Sequence, residues 1–158
     1  MLNRGFTLVE LLIVMGVMAI LALMTVPSLL EKSVRDQVDE ALPLADVAKL
    51  PIDASWAMLH SFPADNAAAG LPQPQSIVGN YVSAVSVQEG AINLKFGNRA
   101  NSSLRGRTLT LRPAVVADAP VVPIAWICGN ATVPGKMTVS GVNRTDIPPL
   151  YLPLKCRP

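Results

Sequence analysis

The chain has 158 residues, 51% hydrophobic and 15% charged, with a formal net charge of +2. That length holds one folded domain plus an N-terminal segment, and so small a charge excludes nucleic acid or anionic lipid as an obligatory electrostatic partner. With one histidine, no metal-ligand cluster, no Gly-rich phosphate loop and no Ser-His-Asp arrangement, catalysis has no visible apparatus, and neither metal nor cofactor is expected.

The N-terminal segment is the most informative element. From Phe6 to Leu30, 25 residues, the only ionisable side chain is Glu10. About 20 apolar residues suffice to cross a bilayer as a helix. A carboxylate in such a helix costs roughly 2.5 to 3.5 kcal/mol at its centre and less near the interface. A plain anchor gains nothing by carrying it. The partner its chemistry asks for is an α-amino group. Cleavage after the small residue Gly5 would make Phe6 the new N-terminus, its ammonium within about one helical turn of Glu10 or reaching a neighbouring subunit. A conventional secretory signal would show an apolar core of about 7 to 15 residues and then a small-x-small cleavage site. Here the core is longer, and Ala19 and Ala22 are offset wrongly for such a site.

Pro27 is expected to kink the helix by removing a backbone donor. From Ser28 to about His60, the residues Val34, Val38, Ala41, Ala45, Ala48, Ile52, Trp56 and Leu59 recur at helical steps along one face. A helix from Phe6 to His60 would be on the order of 80 Å long. Its first half is apolar all round, its second half apolar on one stripe. Pro43 and Pro51 interrupt this tract, each at ~3 kcal/mol in a regular interior. Either the helix bends at them or it ends near Ala41 and resumes after Pro51; the bent helix is the preferred reading.

Residues 61–78 form a Pro-, Ala- and Gln-rich linker. Strands follow over 79–128: Tyr81 to Gln88, a Glu89-Gly90 turn, then Ile92, Leu94 and Phe96 on one face. After a loop over 97–106 come a third strand around Leu109 and Leu111 and a fourth at Ile124 to Cys128. The fold class is therefore α+β. A long kinked N-terminal helix packs on an antiparallel, about four-stranded meander whose other face is polar. Trp56 and Trp126 read as core residues where helix meets sheet.

The two cysteines, Cys128 and Cys156, lie in a Pro-rich segment beyond the apolar run. An even pair there reads as a disulfide in an oxidising compartment. Two buried free thiols are the alternative; a metal site fails on spacing, with His60 far off in sequence. Arg4 is the only charge before the apolar run, so charge bias is a weak orientation signal; the cysteines place the C-terminal part outside the cytoplasm.

Gly5-Phe6-Thr7-Leu8-Val9-Glu10, with the apolar run and Pro27 behind it, resembles the class III signal and N-terminal helix of type IV pilins and type II secretion pseudopilins. Gly79-Asn-Tyr-Val-Ser-Ala-Val, Gly106-Arg-Thr-Leu-Thr-Leu, Trp126-Ile-Cys-Gly and Tyr151-Leu-Pro-Leu-Lys-Cys156 resemble the head of type IVa pilins in order and spacing. The resemblance implies a leader, residues 1–5, removed after Gly5 by a prepilin peptidase that also N-methylates Phe6. It implies a membrane and filament-core helix over 6–30 in which Glu10, Phe6 and Pro27 serve assembly. It further implies a head over 31–158 whose Cys128–Cys156 bond closes a loop on the filament surface. The partners are other copies in a helical filament, the inner membrane and its pilus assembly machinery. The implied function is a structural subunit of a type IV pilus serving adhesion, twitching motility or DNA uptake. The alternatives are a pseudopilin or minor pilin, or a signal-anchored periplasmic enzyme around Asp53, His60 and Asp65. Arg99, Arg105, Arg107 and Arg112 could touch DNA phosphates, but no stacking aromatics accompany them.

Overall fold

A helix opens the described chain. The structure, a computed structural model, describes residues 6–117, 119 and 121–158. Gly5 and the side chain of Pro27 lie outside the described residues. The chain divides into two units, Met1–Ser33 and Val34–Pro158.

Helix α1 (Leu8–Ala41), which supplies the first unit and the first residues of the second, starts where the Glu10 N–H donates to Thr7 Oγ1 at 3.2 Å. Thr7 thereby satisfies one of the orphan donors of the first turn, the role of an N-cap. The helix is long and apolar enough to cross a membrane, and none of its apolar window is buried by the chain itself. The large apolar side chains from Leu8 to Met24 are exposed on every face. A helix apolar all round needs lipid or other protein around it.

In the second unit the helical tract neither stops at Ala41 nor waits for Pro51. Pro43 is absorbed in a 3-10 turn, Leu42–Ala45, and α2 (Asp46–Leu59) runs through Pro51. It ends at His60, whose left-handed backbone caps it with an N–H bonded to Trp56 O at 3.0 Å. Val34, Val38, Ala41, Leu42, Ala45, Ala48 and Ile52 are buried. Leu59, expected on that inner face, is exposed, and Trp56 is only half-buried. The expectation of a single apolar stripe also fails beyond Pro43: Val47, Leu50, Ala54 and Met58 are exposed on the opposite side of α2.

Strands β1 (Val82–Gln88), β2 (Ala91–Phe96), β3 (Thr108–Val115) and β4 (Ala125–Cys128) form the expected antiparallel meander, in the order β1-β2-β3-β4. A two-residue β5 (Thr138–Val139) adds to β3 at Ala114 and Val115. Glu89 and Gly90 both have positive φ, the backbone of a tight two-residue hairpin whose hand matches strand twist. A side chain at position 90 would collide with the Phe62 ring. Val82, Val85, Ile92, Leu94, Phe96, Leu109 and Leu111 share one core with the helical tract.

The other sheet face is largely polar, as expected, but it is not all open to solvent. Asn93 and Thr110 are buried there, and the Thr110 hydroxyl donates to Asn93 Oδ1 at 2.8 Å. Residues 140–146 cover part of this face as a strap. The Arg144 N–H donates to Thr110 Oγ1, the Asp146 N–H to Thr108 O, and the Thr108 N–H to Asp146 Oδ1. The strap lies so close that a side chain at Gly141 would strike Ala91 Cβ at 2.5 Å.

Candidate functional site

The N-terminal residues are arranged as an exposed apolar surface with one charge in its first turn. Phe6 is 79% exposed and Glu10 is exposed beside it. Thr7-Leu-Val-Glu10 also has the spacing of a capping box, so the carboxylate sits where unpaired N–H groups and the helix dipole favour an anion. That local preference fixes where Glu10 lies without neutralising it: among the described residues no ion pair engages it. Inside lipid or a helix bundle such a charge calls for a partner, and a cation is the natural one.

At the other end of the chain, Cys128 at the end of β4 is bonded to Cys156, with Cα atoms 4.5 Å apart. The bond settles the choice between a disulfide and two buried free thiols, and both cysteines are buried. The loop they close is tied to the helical tract by charge. Arg35 Nη2 and Arg157 Nη2 both donate to Leu150 O, at 2.9 and 3.1 Å. Arg157 Nε donates to Leu152 O at 2.8 Å, and Lys155 lies 3.4 Å from the Asp39 carboxylate. Charge-assisted bonds of this kind are about twice as strong as neutral ones. Arg35 and Arg157 were not singled out by sequence, because a lone Arg on a charged helix face carries no periodic signal.

The residues considered for an enzyme each have a local explanation. Asp65 Oδ1 accepts the Ala68 N–H at 2.8 Å, capping the turn that follows it, and His60 is the α2 cap. Asp53 lines a shallow cleft with Lys49, Trp56 and Trp126. Burial pushes its carboxyl above the ordinary range, against the lowering pull of a Trp126 hydrogen bond and the Lys49 charge. Trp126 packs on the core only in part, and Trp56 stacks on Phe62 with ring centroids 4.8 Å apart. Both sit at the margin of the core, not within it. No group of three metal-ligating side chains occurs among the described residues.

The basic stretch is bonded in large part to its own chain. Arg105 donates to Ala100 O, Arg107 to Ser103 O and Asp146 O, and Arg112 to Gly129 O. These guanidinium groups tie down loops of the head. Three of the four therefore have carbonyl partners within the chain.

Comparison with known proteins adds two family matches. Residues 34–157 match the model of the pilin family, bacterial filament proteins, and residues 1–26 match the prokaryotic N-terminal methylation motif. A type IV major pilin of Neisseria gonorrhoeae, PilE, is 31% identical over 162 residues, covering 99% of this chain and 95% of that protein. A fimbrial protein of Neisseria meningitidis serogroup B is 28% identical, again over 99% and 95%. Prepilin peptidase-dependent protein D of Escherichia coli is 30% identical over 117 residues, 70% of this chain and 73% of that protein.

Proposed function

The chain belongs to the type IV pilin family of bacterial filament proteins, and from that premise we propose how it enters a filament and is held there. It is a structural subunit of a type IV pilus, a fibre outside the cell, and pilins are structural proteins, not enzymes. The methylation motif implies processing by a prepilin peptidase. In our reading the leader, residues 1–5, is removed after Gly5 and Phe6 is N-methylated. Helix residues 6–30 then hold the subunit in the inner membrane as a single pass, with the head, residues 31–158, on the periplasmic side.

Assembly is physical, not chemical. Apolar helices leave lipid and bury against one another, exchanging lipid contacts for close packing between helices. An unpaired Glu10 in that waterless core would be strongly penalised, so pairing with a Phe6 ammonium fixes the axial register of each incoming subunit. Pro27 gives the helix a point at which to adjust as it leaves the bilayer. The observation that carries the proposal is the exposed helix itself, apolar on all sides with Glu10 in its first turn. Deleting the gene tests the choice between pilus and pseudopilus. Loss of surface fibres with type II secretion intact is expected; loss of secretion with fibres intact would assign a pseudopilin.

A further inference from the structure

The chain has two tryptophans, and both line one cleft. The cleft, about 350 Å³, lies between α2 and residues 121–126. Lys49, Asp53 and Trp56 form its helix side, and Val121, Ile124 and Trp126 the other. Apolar walls with a few polar groups set among them are the makeup of a small-molecule site. Its hydrogen bonding is incomplete. The Trp126 indole N–H donates to the Asp53 carboxylate. The Lys49 ammonium lies 2.8 Å from Asp46 Oδ1 and 5.9 Å from the centre of the Trp126 ring. The Trp56 indole nitrogen is buried and its N–H has no acceptor among the described residues. A buried indole N–H normally finds a partner, because leaving it alone forfeits a hydrogen bond to water. Trp56 is also held in place, one face of its ring stacked on Phe62.

We infer that this cleft binds a neutral pyranose sugar ring. Such a ring has flat C–H faces that lie against indoles, and a rim of hydroxyls that both donate and accept. The Asp53 carboxylate has lone pairs left to accept from a hydroxyl, while the Trp56 N–H and the Lys49 ammonium can donate to one. Lys49 and Asp53 carry opposite charges, so the site favours a neutral ligand over an ion. A hydrocarbon would strip water from both groups and return no hydrogen bond. A nucleic-acid strand would stack on the same rings but needs a cationic groove for its backbone. Lys49 is the one cation among the described residues that line this cleft. The inference uses neither Glu10 nor the apolar helix, and it does not depend on how the subunit enters a filament.

The two tryptophans make the test direct. The full chain, in a detergent without a sugar head group, gives one indole N–H signal by NMR for each of them. Methyl β-D-glucopyranoside should shift both signals with a dissociation constant on the order of 1 mM, as expected for a ligand of its size. Trp56→Phe keeps a ring against Phe62 and removes the unpaired donor. It should bind about tenfold more weakly, with the Cys128–Cys156 bond intact. The sugar has two sources, glycan of the cell envelope met before assembly and glycan outside the cell. Tryptophan emission read with the same glucoside on sheared filaments separates them. Binding kept in filaments points outside and binding by dispersed subunits alone to the envelope; both support the site. No shift of either indole by the glucoside, its galactose epimer or N-acetylglucosamine, up to about 50 mM, would overturn the inference. Shifts caused by tetramethylammonium or an oligoproline peptide, and by no sugar, would overturn the ligand class. Undiminished binding by Trp56→Phe would overturn the part given to the unpaired N–H.

Discussion

The side-chain amide of Asn66 stands in for a missing strand beside Val87. The Val87 N–H donates to Asn66 Oδ1 at 2.6 Å, and Asn66 Nδ2 donates to Val85 O and Pro72 O, both at 3.0 Å. β1 is the edge of the sheet, where unpaired N–H and C=O groups would otherwise template aggregation. One buried side chain therefore joins the 61–78 segment to the sheet and closes its edge.

Replacing Asn66 should accordingly be expensive. Asn66→Ala leaves the Val87 N–H and the Val85 carbonyl without their buried partner, at a side chain that is only 6% exposed. The expected loss is roughly 2 to 6 kcal/mol, at about 1 to 3 kcal/mol for each buried group left unpaired. Denaturant unfolding of the detergent-solubilised protein measures it; a change under half a kcal/mol, about the level of a surface substitution, would show that the amide is dispensable.

The disulfide should matter on a similar scale. Cys128→Ser opens a bond spanning 28 residues of sequence separation, worth roughly 3 to 4 kcal/mol by the chain-entropy estimate. The loop retains its Arg35, Arg157 and Lys155 contacts, so faster proteolysis of residues 129–155 is expected before global unfolding. Unchanged protease resistance would mean that those polar contacts suffice.

Asp53 gives the head a pH dependence of defined sign. Burial raises its carboxyl in the folded state, so folding favours the protonated form. Its contribution is therefore present below the ordinary carboxyl value of 3.8 and is lost as pH rises through the folded-state value. Asp53→Asn keeps an oxygen for Trp126 and removes the charge. The variant should melt higher than wild type at neutral pH, with the difference closing in acid. A constant difference across pH would place the effect elsewhere.

Much of this molecule was legible in its sequence, for reasons that can be named. The apolar run after Phe6 and the single carboxylate at Glu10 are long-range compositional signals that no loop detail disturbs. The strands around Val85, Leu94 and Leu111 announce themselves by alternation, and the Glu89-Gly90 turn by its residue types. The strap over residues 140–146 was hidden because side-chain-to-backbone bonds at Thr110, Arg144 and Asp146 leave no period in the sequence. The outer stripe on α2 was hidden for a different reason. Once Ala48 and Ile52 are assigned to a core face, Val47 and Leu50 read as the polar side's exceptions, until their exposure shows that they form a face of their own.

Glu10 itself makes a sharp prediction. Glu10→Val removes the one charge of the apolar helix and should leave a processed, membrane-inserted subunit with an intact head. Such a subunit lacks the ion pair to Phe6 that we propose sets its register, so it should be missing from sheared fibres while accumulating normally in membranes. Normal piliation by processed Glu10→Val subunits would remove the ion pair from the mechanism.

Mass spectrometry of a sheared surface-filament fraction shows whether the subunit is processed after Gly5 and built into fibres through its exposed helix. The N-terminal peptide and the cysteine state are read together. A dominant species beginning at N-methylated Phe6, with Cys128 bonded to Cys156, is expected. A chain still carrying Met1, or a processed chain confined to membranes and missing from the fibres, would contradict it.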